Sequence, residues 1–516
     1  MSPAAEGAPP RARRSRAPAL LVVPALGVAA AALLPIGYLG VRASEHGPAA
    51  AAEILFRGRT AALLGRSTAL ALSVTAASVA LGVLLAWLTV RCRMPGGGAW
   101  AVLAALPLAI PTYVAGFAYI SRFPSLAGFR GAWLVLTLYS YPYVYLPVAG
   151  ALRGLDPALE EASRSLGVGA WRTFTGVTLR QLRPAIAAGS LLVTLYVFSD
   201  FGAVSLMRFD AFTRVIYSSY QSSFDRTPAA VLGALLVVVT VLIVVAEGRS
   251  RGRSRYARTG RGAPRPGAPV DLGRWRWPAT LLTATVAAFT LGVPGVTLGI
   301  WLQRGISAGQ SFASTGQAAI GSLTAASLGA VVTVAAAVPV ALLAARYRSP
   351  LASAVERASY AGHALPGLVI ALSLVFFATR YADVVYQRLP LLVFAYFVLF
   401  LPLAVGAVHA SAVQAPPVLD DVARSLGSGT WRVLRTVTAP LTAPGVAAGA
   451  ALVFLTCLKE LPATLLLRPS GFETLSVRVW EETGAGEYAA AAPPAALLVL
   501  VAAVPTWLLT RRRGLS

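Results

Sequence analysis

Uncharged apolar runs recur along this chain at about 18 to 41, 67 to 90, 97 to 120, 131 to 152, 185 to 207 and 228 to 246, and again at about 279 to 302, 322 to 345, 358 to 378, 389 to 410, 445 to 467 and 489 to 510. A helix needs roughly 20 apolar residues to cross a bilayer, so the pattern predicts about twelve transmembrane helices and an all-α polytopic membrane protein. Pro107 and Pro111 in the third run and Pro366 in the ninth predict helices that break or re-enter.

The stretches between the runs are polar and mostly basic. The N-terminal "RARRSR" precedes a run longer than a secretory signal core, which predicts a retained first helix with its N-terminus in the cytoplasm. An even number of spans returns the C-terminus to the same side. On that topology the net charge of +24 divides into +20 on the cytoplasmic side, +5 on the outer side and −1 within the membrane. The basic excess is therefore a positive-inside signal, and no nucleic-acid partner is expected.

Composition narrows the chemistry. With 12% charged and 57% hydrophobic residues the chain is no soluble globular protein, for which about 25% charged is usual. Lys459 is its single lysine, and it stands between Leu458 and Glu460. A Walker A phosphate loop needs Lys followed by Ser or Thr, so any ATP must be bound by another chain. Cys92 and Cys457 offer neither a disulfide framework nor a metal cluster, and His363 and His409 read as ordinary packing or interfacial residues. No HExxH motif and no clustered His or Cys suggests a membrane enzyme.

The chain repeats itself. Arg91, Arg93 and Pro95 match Arg346, Arg348 and Pro350 at an offset of 255, and farther on the offset becomes 260. Over 157–189 against 417–449, 15 of 33 positions are identical. Two parallel six-helix halves related by a pseudo-two-fold axis along the membrane normal follow, with a translocation route between them. The expected divisions are a first repeat with a basic N-terminal tail at 1–247, a basic cytoplasmic linker at 248–278 and a second repeat at 279–516.

The best-matched part of the repeat is polar, which suggests a docking surface. Asp156 and Pro157 can start a short helix, with Glu160 and Glu161 favouring the positive end of its dipole. Gly167 and Gly169 end it, and a second short helix begins near Trp171. Pro417, Asp420, Asp421, Gly427, Gly429 and Trp431 repeat the pattern, giving a bent pair of short helices twice on one side.

These residues resemble the EAA loop of permeases of the binding-protein-dependent ABC importers, whose motif reads E-A-A, three residues, G, nine residues, I-x-L-P. Here it falls on Glu161, Ala162, Ser163, Gly167 and 177–180, and on Asp421, Val422, Ala423, Gly427 and 437–440, with Arg180 in place of the first proline as the largest departure. The segments "SDFGAVSLMRFDAF" and "KELPATLLLRPSGF" extend the resemblance to the fused, two-repeat permeases of ferric-iron importers, with thiamine permeases as rivals. The resemblance implies a non-catalytic subunit of a bacterial cytoplasmic-membrane importer. It further implies two copies of a cytoplasmic ATPase carrying ATP and Mg²⁺, an extracytoplasmic iron-binding protein, and no cofactor on this chain. Glu160, Glu161, Ala162, Gly167, Asp420, Asp421, Ala423 and Gly427 would then couple to the ATPase.

Asp200, Lys459 and Glu460 interrupt apolar runs, and Asp200 matches Glu460 at the 260 offset. Buried charge in a membrane is costly and suggests function. Counted from Pro184, Asp200 lies roughly 24 Å along a core about 30 Å thick, in its outer third. Two readings stand: an outer vestibule that contacts a hard, oxygen-seeking cation, or a helix-to-helix lock with Lys459 paired to a carboxylate and Pro462 kinking the helix. A secondary transporter is the alternative of another class, and it would want its charges near the midplane.

Overall fold

The computed structural model describes residues 17–45, 47–155, 158–222, 226–250, 269–310, 312–347 and 349–512. The expected basic tail, Asp156 with Pro157, and most of the expected linker lie outside these residues.

Helix covers every one of the twelve expected spans. In the first repeat these are α1 (Ala19–Ser44), α2 (Gly58–Arg91), α3 (Gly97–Ala105), α4 (Thr112–Arg122), α5 (Phe129–Ser140), α6 (Pro142–Gly154), then a loop helix α7 (Ala158–Ser165), α8 (Leu179–Ser199), a short α9 (Gly202–Leu206) and α10 (Thr227–Ser250). The second repeat follows with α11 (Arg276–Ala287), α12 (Val293–Ser307), α13 (Ala313–Arg346), α14 (Pro350–Tyr360), α15 (Gly367–Tyr381), α16 (Leu389–Gln414), the loop helix α17 (Pro417–Ser425), α18 (Ala439–Leu458), a short α19 (Pro462–Leu467), α20 (Leu475–Ala485) and α21 (Tyr488–Arg512). Among the described residues eight helices are long and apolar enough to cross a membrane by themselves. The third expected span is a bent pair, its two parts turned by 92° where Pro111 blocks continuation of the helix. The fourth, ninth and twelfth are shorter or interrupted helices.

Two boundaries differ from hydropathy. The fifth and eleventh runs extend to 207 and 467, but α8 stops at Ser199 and α18 at Leu458, because a carboxylate at the next turn gives the backbone a different partner. Conversely α2 and α13 start nine residues before Ser67 and Ser322. Those serines instead accept the amides of Phe212 and Leu475 at 3.2 and 2.8 Å.

By internal contacts the chain forms two compact units: Pro35–Ala326, Ala364–Ala395 and Leu458–Ser516 make one, and Met1–Leu34, Ser327–His363 and Tyr396–Cys457 the other. In the larger, small residues let helices approach closely, as is usual in lipid, where apolar burial alone does not hold helices together. A Cβ added at Gly82 of α2 would lie 2.9 Å from Val144 Cβ, and one at Gly189 of α8 would lie 2.7 Å from Val144 Cα. Buried hydroxyls complete the packing: Tyr119 and Tyr139 donate to the carbonyls of Phe289 and Thr290 at 2.8 and 2.7 Å, and Ser373 to that of Pro35 at 2.6 Å. In the smaller unit Gly329 faces Tyr396 and Cys457, and Gly445 faces Ser411.

Residues 270–272, at the end of the expected linker, pack in the larger unit. Val270 donates to the Arg91 carbonyl at 2.7 Å and accepts from the Arg93 amide at 3.0 Å, the sole bridge of extended backbone among the described residues. Val270 and Leu272 cover Leu88, Cys92 and Met94 together with Trp87 and Trp100.

Candidate functional site

The two loops are built alike. Helix α7 ends in Gly167 at φ +79° and α17 in Gly427 at φ +80°, a left-handed backbone that side chains with a Cβ resist. Gly167 N–H donates to Arg164 and Val168 N–H to Ser163, at 2.9 and 3.2 Å; Gly427 and Ser428 donate to Arg424 and Ala423, both at 3.0 Å. This is the Schellman closure, which satisfies the last carbonyls of a helix and turns the chain sharply. A Cβ at either glycine would meet open space. The short helices Ala170–Thr173 and Thr430–Val433 follow, as the sequence predicts, and each continues into a π-helical turn, Phe174–Thr178 and Leu434–Thr438, that leads into α8 or α18.

Apolar side chains crowd the solvent face of both loops. Leu166 is 82% exposed and Leu426 80% exposed, and Leu159, Val418, Val422 and Trp431 are also largely bare. Exposed apolar groups gathered along one short helix mark an interaction site more often than scattered single ones do. Glu161, Ala162 and Asp421 are exposed beside them, with Ala423 half-buried.

Glu160 and Asp420 point the other way. Glu160 Oε1 accepts from Arg91 Nη2 at 2.6 Å and from Thr178 Oγ1 at 2.8 Å. Asp420 lies 3.5 Å from Arg346 Nη2 and accepts from Thr438 Oγ1 at 3.1 Å, while Arg346 Nη1 donates to the Ala415 carbonyl at 3.1 Å. The second copy is looser because aspartate is one methylene shorter. Sequence reading missed Arg91, Thr178, Arg346 and Thr438 as members of this site, although all four sit in the repeat-matched blocks.

The intramembrane charges stand at helix breaks. Asp200 ends α8, and its Oδ1 accepts the Ala203 and Val204 amides at 2.9 and 3.3 Å, capping α9. Its Oδ2 accepts from Thr112 Oγ1 at 2.5 Å, and its carbonyl accepts from Thr213 Oγ1 at 2.6 Å. Glu460 repeats half of this: Oε1 accepts the Ala463 amide at 3.0 Å, and its carbonyl accepts from Ser476 Oγ at 3.0 Å. The counterpart of Thr112 is Gly367, which has no hydroxyl to offer. Lys459 Nζ donates to the Leu108 carbonyl at 3.2 Å, and Tyr113 Oη to the Lys459 carbonyl at 3.3 Å. The ammonium is thus held by a backbone dipole where a carboxylate partner was expected.

Among the described residues no group of three or more His, Cys, Asp or Glu is arranged to hold a metal ion. His409 Nδ1 lies 3.6 Å from Glu356 Oε1.

Comparison with known proteins matches the family model of the binding-protein-dependent transport system inner membrane component twice, over residues 78–250 and 337–511. The chain is 40% identical over 481 residues to the Fe(3+)-transport system permease protein FbpB 2 of Haemophilus influenzae, which covers 93% of this chain and 95% of that protein. It is 30% identical over 187 residues to the molybdenum transport system permease protein ModB of Escherichia coli, covering 33% of this chain and 81% of that one. To the sulfate transport system permease protein CysT of Escherichia coli it is 31% identical over 185 residues, covering 32% and 66%.

Proposed function

The chain belongs to the family of binding-protein-dependent transport system inner membrane components, and from that premise we propose that it is the membrane subunit of an ATP-driven importer whose cargo is ferric iron. The observation that carries the cargo is the end-to-end match: both repeats and the segments around them align with an Fe(3+)-transport permease, whereas the molybdenum and sulfate permeases match a third of the chain. A cytoplasmic ATPase dimer takes α7 and α17 as its two contacts, through the exposed Leu166 and Leu426 and the acidic Glu161 and Asp421. An extracytoplasmic iron-binding protein delivers the cargo, and both termini face the cytoplasm, as the positive-inside distribution of arginine supports.

On this reading Asp200 is chiefly scaffold, since both its carboxylate oxygens are occupied, while Glu460 has the oxygen freed by the loss of the Thr112 hydroxyl in the second repeat. Glu460 then attracts a trivalent cation transiently, and a single oxygen donor is too weak to trap it.

Uptake of radiolabelled iron and of thiamine into proteoliposomes, with and without the ATPase and the binding protein, tests the proposal. Iron uptake that needs ATP and both partners is the expected result. Thiamine uptake in its place, or transport by the chain alone down an ion gradient, overturns it.

A further inference from the structure

Two loops of the same design also share an internal tie that docking to a partner does not require. Arg91 is the last residue of α2, Glu160 lies in the first turn of α7, and Thr178 closes the π-helical turn that starts the α8 span. One carboxylate therefore joins three separate pieces of chain, and both the Arg91 and Glu160 side chains are about nine-tenths buried. Arg346, Asp420 and Thr438 do the same for α13, α17 and α18. The two triads keep the repeat spacing of 255 for arginine and 260 for carboxylate and threonine.

We propose that these triads are mechanical joints: they fix each loop helix to the ends of two spanning helices, so that a push on the loop moves both spans together. Glu160 and Asp420 are thus positioning residues and not ATPase contacts.

The geometry gives the reason. After Ser165 the chain turns through Gly167 and Gly169, and α7 is joined to the helix that follows near its C-terminal end, by the two backbone bonds of that turn and by Ser163 Oγ to Thr173 Oγ1 at 3.0 Å. Without a second attachment, force applied at Leu166 would swing the loop helix about that turn and leave the membrane helices in place. The Arg91 to Glu160 pair supplies the second attachment. A shielded ion pair is stiff, since parting it strands a charge away from water. Thr178 extends the tie to α8, and the π-helical turn, a form that is rare and favours functional positions, aims its hydroxyl at the carboxylate. α2 and α8 are themselves bonded farther along, Thr75 to Thr194 at 3.0 Å, so the tied helices move as a pair.

This inference rests on the reading of α7 and α17 as ATPase contacts, and the experiment separates the two. The assembled transporter in proteoliposomes is assayed for iron taken up per ATP hydrolysed, and for cross-linking of the ATPase to Leu166→Cys and Leu426→Cys. Glu160→Gln with Asp420→Asn should keep cross-linking and ATP hydrolysis while uptake per ATP falls about 2- to 30-fold, the usual range for a broken coupling element. Thr178→Val with Thr438→Val, which leaves both ion pairs in place, should give a smaller fall in the same ratio and covers the case in which the first variant fails to assemble. Exchanging the partners, Arg91→Glu with Glu160→Arg, should recover coupling that Glu160→Arg alone abolishes. Unchanged uptake per ATP with cross-linking intact overturns the joints. Loss of cross-linking in a Glu160→Gln with Asp420→Asn chain that keeps the native thermal midpoint also overturns them, because the carboxylates would then be docking residues. Absence of cross-linking in the chain with native carboxylates overturns the underlying contact assignment instead.

Discussion

Replacing Gly167 and Gly427 separates two reasons for a glycine in a docking loop: a backbone that must be left-handed, or a partner that must come close. Both residues hold φ near +80°, where an L side chain costs roughly 1–2 kcal/mol. An alanine at either site should therefore deplete the closed Schellman form by about 5- to 30-fold. Because the glycines end separate helices with no shared partner, the two costs should add. Asparagine tolerates the left-handed region better than alanine, and β-branched valine tolerates it worse. Within the chain itself size is irrelevant, since an added Cβ finds nothing within 4 Å at either site. The series Asn, Ala, Val at both positions should weaken ATPase co-purification in that order. Amide exchange at Val168 and Ser428, whose N–H groups close the two turns, should quicken in the same order. If asparagine weakens association more than the smaller alanine does, the effect follows volume, and the glycines serve the partner's approach and not the backbone.

Three further outcomes follow from the geometry. Leu166→Asp with Leu426→Asp should abolish ATPase co-purification and leave the thermal midpoint of the purified chain unchanged, since both side chains are bare; a large drop in that midpoint would refute the surface assignment. Asp200→Ala removes the acceptor of three donors, each costing about 1–3 kcal/mol when left unpaired in a buried site, so it should lower the midpoint sharply while Asp200→Asn changes it little; equal effects would deny the cap. Burial pushes the Cys92 thiol up to about 12, so maleimide labelling at pH 8 should be slow, accelerate as pH rises, and accelerate at fixed pH in Val270→Pro, which loses the amide bonded to Arg91; rapid labelling of the native chain would contradict the packing over Cys92.

Hydropathy located the spans well, because crossing a bilayer demands long apolar runs whatever the packing. The break at Pro111 was also legible, since proline removes a donor and obstructs the preceding turn. Periodicity could not find the ends of α8 and α18. Asp200 and Glu460 are single polar residues in apolar surroundings, and only the structure shows that they end one helix and cap the next. The helix, glycine turn and second helix of each loop were readable from Gly167 and Gly427. The inward turn of Glu160 and Asp420 was not, because adjacent carboxylates on a short helix look alike in sequence until it is known which one meets an arginine. That arginine lies 69 residues away for Glu160, across four intervening helices, and no local pattern connects the two.

Joining the repeats in one chain also frees their symmetry. A pore made from two copies of a single repeat must present every residue twice, so a lysine at the second break would bring a second lysine with it. Position 459 corresponds instead to Ser199, and Gly367 to Thr112, so the two breaks share a skeleton without sharing charges. Two carboxylates stand against one ammonium, an odd count that no homodimer could present. Covalent fusion is thus what permits a single net unit of negative formal charge in this region, a value that two copies of one repeat could never present.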